Sequence, residues 1–272
     1  YNTVFGATRN AYDPSRCAGG SSGGAAVALA AGIGPLALGS DGGGSIRIPA
    51  ACCGVVGLKA SLGAIPNLQA PDLFGANSYV GPMARDVADT RLFFETLAGP
   101  DRRDPYGQAP LPDVATPARP RVALLLRCGA PLDSDVARAV VAAMRAAERI
   151  GCIVEPIERD FVALEKTFLT ILRATLAARL GAAARATPEK LDPTLRVTIA
   201  QGLDIGAVEL SEAQFARTRC FADMQALFAR FDLIASPTLT APALPVGLDP
   251  HGRFTIAGED AGTLRGAWYP YT

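Results

Sequence analysis

Histidine is almost missing: His251 is the one histidine in 272 residues. That excludes a metal centre built on several imidazoles, and no Cys-x-x-Cys pair replaces it, so no metal is expected. A serine hydrolase with a histidine base would have to use His251, which lies in the turn-like stretch Asp249-Pro250-His251-Gly252. Lysine is scarce as well, at Lys59, Lys166 and Lys190 only, and the phosphate-cradling pattern Gly-x-x-x-x-Gly-Lys-Ser/Thr does not occur. There is no surplus of either charge, with 26 Lys+Arg against 26 Asp+Glu. A chain so balanced offers no global basic field to nucleic acid or an anionic membrane, and neither is expected as a partner. The six cysteines, Cys17, Cys52, Cys53, Cys128, Cys152 and Cys220, show no framework spacing and read as reduced thiols of a cytoplasmic protein. No charged segment followed by an apolar one opens the chain as a secretory leader would. The uncharged run from Cys17 to Ser40 is long enough to suggest a membrane span, but its seven Gly, three Ser and Pro35 argue for a buried, backbone-rich site instead.

What is present describes a folded α/β chain. Hydrophobic residues make up 49% and charged residues 19%, enough apolar material for a sizeable core. Residues 1–18 read as irregular. A helix follows from Ser22 to about Ala31, then a short buried strand over Pro35–Ser40 and a tight turn at 42–44. Val55–Leu58 is a second short strand, and 60–84 reads as loop. Asp86–Leu97 is an amphipathic helix with Val87, Phe93, Phe94 and Leu97 on one stripe, stopped by Gly99-Pro100. A Pro- and Asp-rich connection spans 100–119. Strand Arg121–Arg127, helix Asp135–Ile150 and strand Cys152–Ile157 form a βαβ signature. Helices follow over Phe161–Arg185, Pro193–Gly202 and Glu212–Phe228, then a strand over Asp232–Ser236. The expected architecture is one domain over 1–272, a mixed sheet covered by helices. The chain opens on Tyr1 and closes on Ala267-Trp268-Tyr269-Pro270-Tyr271-Thr272, which reads as a chain cut at both ends.

Two segments dense in serine and glycine stand out. They are Gly19-Gly20-Ser21-Ser22-Gly23-Gly24 and Gly39-Ser40-Asp41-Gly42-Gly43-Gly44-Ser45-Ile46-Arg47-Ile48-Pro49-Ala50. Glycines beside a hydroxyl let backbone N–H groups approach a ligand, and three glycines followed by serine form a concave donor set suited to an anion or a developing oxyanion. A flexible linker would be rich in the same residues, but both segments are flanked by apolar strand and helix sequence. A nucleophile elbow with Ser22 as nucleophile and His251 as base fits Gly-x-Ser-x-Gly, yet residues 11–18 make a poor strand to precede it.

Taken as a pair, the two segments carry a specific resemblance. Phe5-Gly-Ala-Thr-Arg-Asn, Gly19-Gly-Ser-Ser-Gly-Gly24, Gly39 to Ala50, Cys53-Gly-Val-Val-Gly-Leu-Lys59, Gly81 to Asp89 and Phe231-Asp-Leu-Ile-Ala-Ser-Pro-Thr238 resemble the amidase signature family. The match is dense over 1–100 and holds only in pattern over about 100–210. The resemblance implies the family's α/β fold, incomplete here, with a mixed central sheet covered by helices on both faces. It implies a Ser–cis-Ser–Lys hydrolase of carbon–nitrogen amide bonds, with no cofactor. Ser45 would be the nucleophile and Ser21 the bridging serine, across a cis Gly20–Ser21 peptide. The N–H groups of Gly42, Gly43, Gly44 and Ser45 would form the oxyanion hole. The family's lysine belongs to a stretch upstream of the first segment, and no Lys precedes Lys59, which matches a family position outside the triad. The chain as given is therefore expected to be inactive and its parent to hydrolyse amides. The implied partner is a small-molecule amide; a homodimer is left open.

Supporting positions carry two readings each. Asp41 and Arg47 flank the nucleophile turn and either hold the loop or form an ordinary surface ion pair. Ser22 either caps the first helix or bonds within the triad. Thr3, Phe5, Tyr79 and Trp268 either line a pocket or pack a core. Cys52 and Cys53 lie near the nucleophile, and nothing beside them in sequence suggests an activated thiolate. The alternatives to a plain amidase are an A-type subunit of a glutamine-dependent tRNA amidotransferase and a non-catalytic relative. In the amidotransferase subunits the Ile-Arg pair is typically followed by Gln, whereas Ile48 follows Arg47 here.

Overall fold

A computed structural model describes residues 4–75, 77–107, 115 and 117–272. By internal packing the chain divides into two compact units. The first holds both serine-rich segments: Ala7–Ala115, with Pro242–Leu248 and Thr272. Its elements are α1 (Gly23–Ala30), β1 (Leu36–Asp41), α2 (Arg47–Cys53), β2 (Val56–Gly57), β3 (Tyr79–Ala84) and α3 (Val87–Leu97). The strands form an antiparallel sheet in the order β1-β3-β2, with Asp41 opposite Tyr79 and Val56 opposite Ala84. Small side chains let α1 and α2 pack closely, and Ala18, Ala26, Leu29, Ile46, Ala50, Cys53 and Met83 fill the space between. The segment 242–248 runs beside the first irregular stretch: Leu244 C=O accepts from Cys17 N–H at 2.8 Å, and Val246 N–H donates to Ser15 C=O at 2.9 Å.

Three features here differ from the sequence-based expectation. A helix forms over Arg47–Cys53 despite Pro49, because proline in a first turn lacks only an N–H that has no intrahelical partner anyway. A strand forms inside the expected loop, and Pro82 sits in its middle, opposite Leu38, while its carbonyl accepts from Leu58 N–H at 3.0 Å. In α3 the Asp86 carboxylate caps the helix by accepting from Asp89 N–H, but Val87 at the first position is exposed and Thr90 takes the inward place.

The second unit comprises Tyr1–Gly6, Thr116–Ala241 and Asp249–Tyr271. Its elements are β4 (Arg121–Arg127), α4 (Ser134–Arg149), β5 (Ile153–Glu158), α5 (Glu165–Ala186), α6 (Pro193–Leu203), α7 (Ala207–Phe228), β6 (Leu233–Ala235), β7 (Arg253–Ile256), β8 (Glu259–Thr263) and α8 (Leu264–Trp268). The expected βαβ unit is present: β4 pairs in parallel with β5 and with β6, in the order β5-β4-β6. Ala123, Leu227 and Phe231 pack beneath this sheet. Asp133 and Asp192 cap α4 and α6, the latter with Pro193 at the first helical position. The β7–β8 hairpin, not expected from the sequence, turns on Ala257-Gly258, both with positive φ. One described helical stretch, Val162–Ala186, is long and apolar enough to cross a membrane by length and composition; it packs against α6 and α7.

Candidate active site

The nucleophile turn is organised around one buried carboxylate. Asp41 ends β1 with a side chain 0% exposed, and Arg47 at the start of α2 reaches back to it with 28% exposure. The guanidinium grips it with two bonds, Nε to Oδ2 at 2.9 Å and Nη2 to Oδ1 at 2.8 Å. Backbone N–H groups supply the rest: Gly44 to Oδ1 at 2.7 Å, with Ile46 and Arg47 to Oδ2 at 3.2 and 3.4 Å. Burial alone would push the Asp41 pKa up, but the Arg47 fork and the Gly44 and Ile46 amides outweigh it and hold the carboxyl below its ordinary value. Of the two readings offered by the sequence, the geometry is that of a pair holding the loop.

This arrangement decides which amides remain open. Gly44, expected as an oxyanion donor, commits its N–H to Asp41. The N–H groups of Gly42, Gly43 and Ser45 donate to no described residue. Gly44 also has a φ of 106°, and a Cβ there would meet Ile48 Cδ1 at 2.6 Å, so only glycine fits. The carbonyl on its other side, Gly43 C=O, accepts from Thr272 Oγ1 at 3.3 Å.

The second segment meets the first through the backbone. Ser22 N–H donates to Ser45 C=O at 3.1 Å, and the Gly20–Ser21 peptide bond is cis. Ser22 occupies the N-cap of α1, but its hydroxyl makes no capping bond and instead donates to Ser40 C=O at 3.5 Å. The hydroxyls of Ser21, which is exposed, and Ser45, which is half-buried, bond to no described residue. The structure therefore brings Ser45, the residue pair Ser21-Ser22, Asp41, Arg47 and three uncommitted amides into one place.

Other candidates fall elsewhere. His251 is exposed, and its Nε2 hydrogen-bonds to Thr194 C=O at 3.1 Å. Phe5 is 88% exposed, and Trp268 is buried with Nε1 donating to Ala241 C=O at 3.0 Å, a packing role. Thr3 lies outside the described residues. Tyr79 faces Lys59, whose Nζ sits 3.6 Å from the ring centroid and donates to Ala60 C=O at 3.3 Å. Burial, then the Arg47 charge, lower the Lys59 pKa while Asp41 opposes them, so this lysine senses the same ion pair. Residue spacing carries no sign of that, nor of a second proximity: Asn10 Nδ2 donates to the carbonyls of both Cys17 and Cys52. Among the described residues no group of three or more His, Cys, Asp or Glu is placed to hold a metal.

Comparison with known proteins sets these features in context. The family model described as Amidase matches residues 1–255. The A-type subunit of the glutamyl-tRNA(Gln) amidotransferase of Thermus thermophilus is 34% identical, across 90% of this chain and 58% of its own. An indoleacetamide hydrolase of Bradyrhizobium diazoefficiens is 34% identical, across 89% of this chain and 48% of its own. Among solved structures, a bacterial aryl acylamidase of the amidase signature (AS) enzymes superposes with a TM-score of 0.85 at 32% identity, over 97% of this chain and 58% of that one. The chain thus spans roughly half to three-fifths of the length of these three proteins.

Proposed function

The chain belongs to the amidase signature family, and from that premise we propose that the protein carrying it hydrolyses the carbon–nitrogen bond of carboxylic amides through an acyl-serine intermediate. Ser45 Oγ attacks the amide carbonyl. Its proton leaves through the Ser21 hydroxyl to a neutral lysine, which the family carries upstream of the first serine-rich segment. The amine departs with that proton, and water releases the acyl group from Ser45. The negative charge that develops on the carbonyl oxygen falls to the N–H groups of Gly42, Gly43 and Ser45, the amides that Asp41 leaves uncommitted. A hydroxyl is a weak nucleophile without a base beside it, and the bridging serine extends the reach of a base that does not touch Ser45.

The observation that carries this reading is the 3.1 Å bond from Ser22 N–H to Ser45 C=O, which ties the backbones of the two serine segments together. The test is hydrolysis of an aryl acylamide by the polypeptide extended upstream of Tyr1 through the lysine region. Ser45→Ala is expected to abolish turnover, and Ser21→Ala to cost on the order of 10²–10⁴ as a lost proton relay. Unchanged turnover in Ser45→Ala would remove the reading.

A second reading has its own support: the T. thermophilus relative, similar over nine-tenths of this chain, is an amidotransferase component. Ile48 weighs on the other side. It is 5% exposed and lies against the positions where Cβ atoms on Gly19 and Gly44 would fall, an apolar plug where such amidotransferase components typically place Gln. Glutaminase activity dependent on a partner protein, with no hydrolysis of simple amides, would select the amidotransferase.

A further inference from the structure

We propose that Cys17 and Cys52 form a redox-active dithiol that closes to an intramolecular disulfide on exposure to a hydroperoxide. The stretch 17–19 lies along α2. Asn10 Nδ2 donates to both Cys17 C=O at 3.5 Å and Cys52 C=O at 2.6 Å, so one side chain clamps the two backbones together. One residue further on, Cys53 Sγ donates to Ala18 C=O at 3.6 Å. Beyond that, a Cβ on Gly19 would meet Pro49 Cα at 3.0 Å. Each thiol is the largest single influence on the ionisation of the other. Both are half-buried, open enough for a small peroxide, whereas Cys53 is fully buried.

The chemistry of the pair is asymmetric. Cys52, with added help from the N–H groups of Gly19 and Leu244, draws the Cys17 thiol down to about 6 against the opposing effect of burial. The Cys52 thiol is pushed up by Cys17 and by burial, and so stays the proton-bearing member. A thiolate is the nucleophile and a neighbouring thiol its resolving partner. Cys17 S⁻ attacks one peroxide oxygen, the O–O bond breaks, and the other oxygen leaves as an alcohol or water after taking a proton. Cys17 is then a sulfenic acid. The Cys52 sulfur attacks it, the S–S bond forms, the S–O bond breaks, and hydroxide leaves as water with the Cys52 proton. The two sulfurs lose two electrons, which reduce the peroxide. The bridge would join the strap leading into Ser21 to the helix that follows Ser45.

The 272-residue chain itself suffices for the test. It is treated with limiting hydrogen peroxide under native conditions, free thiols are alkylated, and trypsin cuts after Arg16, Arg47 and Lys59. The expected product is peptide 17–47 joined to peptide 48–59, lighter by two hydrogens, with fragment ions placing the link at Cys52 and Cys53 alkylated. Dithiothreitol should reverse it. A link to Cys53, sulfinic acid at Cys17 without a bridge, or oxidation of Cys152 or Cys220 while Cys17 stays reduced would each overturn the proposal. In Cys52→Ser the sulfenic acid at Cys17 should persist and react with dimedone. The map on the unaltered chain decides the question even where that variant fails to fold, and it does not depend on amide hydrolysis.

Discussion

Asp41 shows how one side chain sets the chemistry of its surroundings. A carboxylate with no solvent access is costly unless fully bonded, and here a guanidinium fork and three amides surround it. The consequence extends to Gly44, whose N–H is taken and whose positive φ favours glycine. Removing one partner of a buried pair typically costs about 3–5 kcal/mol, so Arg47→Ala should lower the unfolding free energy from urea titration by that order while Ser45→Ala leaves it nearly unchanged. The sign of the pH dependence follows from the lowered Asp41 pKa. Asp41 contributes stability above the ordinary carboxylate range, and that contribution fades as pH falls through its lower, folded-state value. Asp41→Asn should therefore be less stable at neutral pH and lose less on acidification; urea titrations from neutral to acidic pH would show the two curves converging. Parallel curves would place the stabilisation elsewhere. The pairing of Asp41 with Arg47 was legible in the family blocks, but the bond from Gly44 was not, because sequence spacing does not say which of several amides a carboxylate will take.

Helix packing supplies a prediction at the next scale. Gly202 lies near the end of α6, where a Cβ would strike the Arg173 carbonyl of α5 and approach Ala177 Cβ at 2.9 Å. Gly202→Ala gains roughly 1 kcal/mol of helix propensity, but the clash should outweigh it and leave the chain destabilised by about 1–3 kcal/mol. Gly206, at the N-cap of α7, has nothing within 4 Å of a Cβ, so Gly206→Ala meets no clash and should cost only the poorer cap, about 1 kcal/mol or less; thermal unfolding of the two variants separates packing from capping. The elements read correctly from sequence are those with complete local signals. α4 has an Asp cap and an amphipathic stripe, β4 has an uninterrupted apolar run, and α6 begins with Asp192-Pro193. The ones missed are those where tertiary context overrides a local breaker. In β3, Gly81-Pro82 reads as a turn until β1 and β2 flank it. In α2, which the sequence reading did not place, Asp41 bonds the amides of Gly44 and Ile46 just before the helix. The β7–β8 hairpin turns on Ala257, a residue that seldom marks a left-handed position.

For the molecule as a whole, family membership and the catalytic reading stand on different ground. The α/β class and the family were legible because the glycine- and serine-rich blocks are long and dense. The base was not, because the family's lysine precedes the first serine-rich segment and no Lys precedes Ser21 in this sequence. Lys59 rests on the Tyr79 ring and donates to Ala60 C=O. The 272-residue chain on its own is thus expected to show no turnover of simple amides, and rapid turnover would contradict the assignment of the base. The chain covers 58% of the aryl acylamidase it superposes on, so the catalytic test belongs to a polypeptide that also carries the family's lysine region. The most direct measurement is the site of covalent capture by a fluorophosphonate in that polypeptide. The account predicts adduct on Ser45, weakened in Ser21→Ala and absent in Ser45→Ala; adduct on any other residue, or equal labelling of the Ser45→Ala protein, would contradict it.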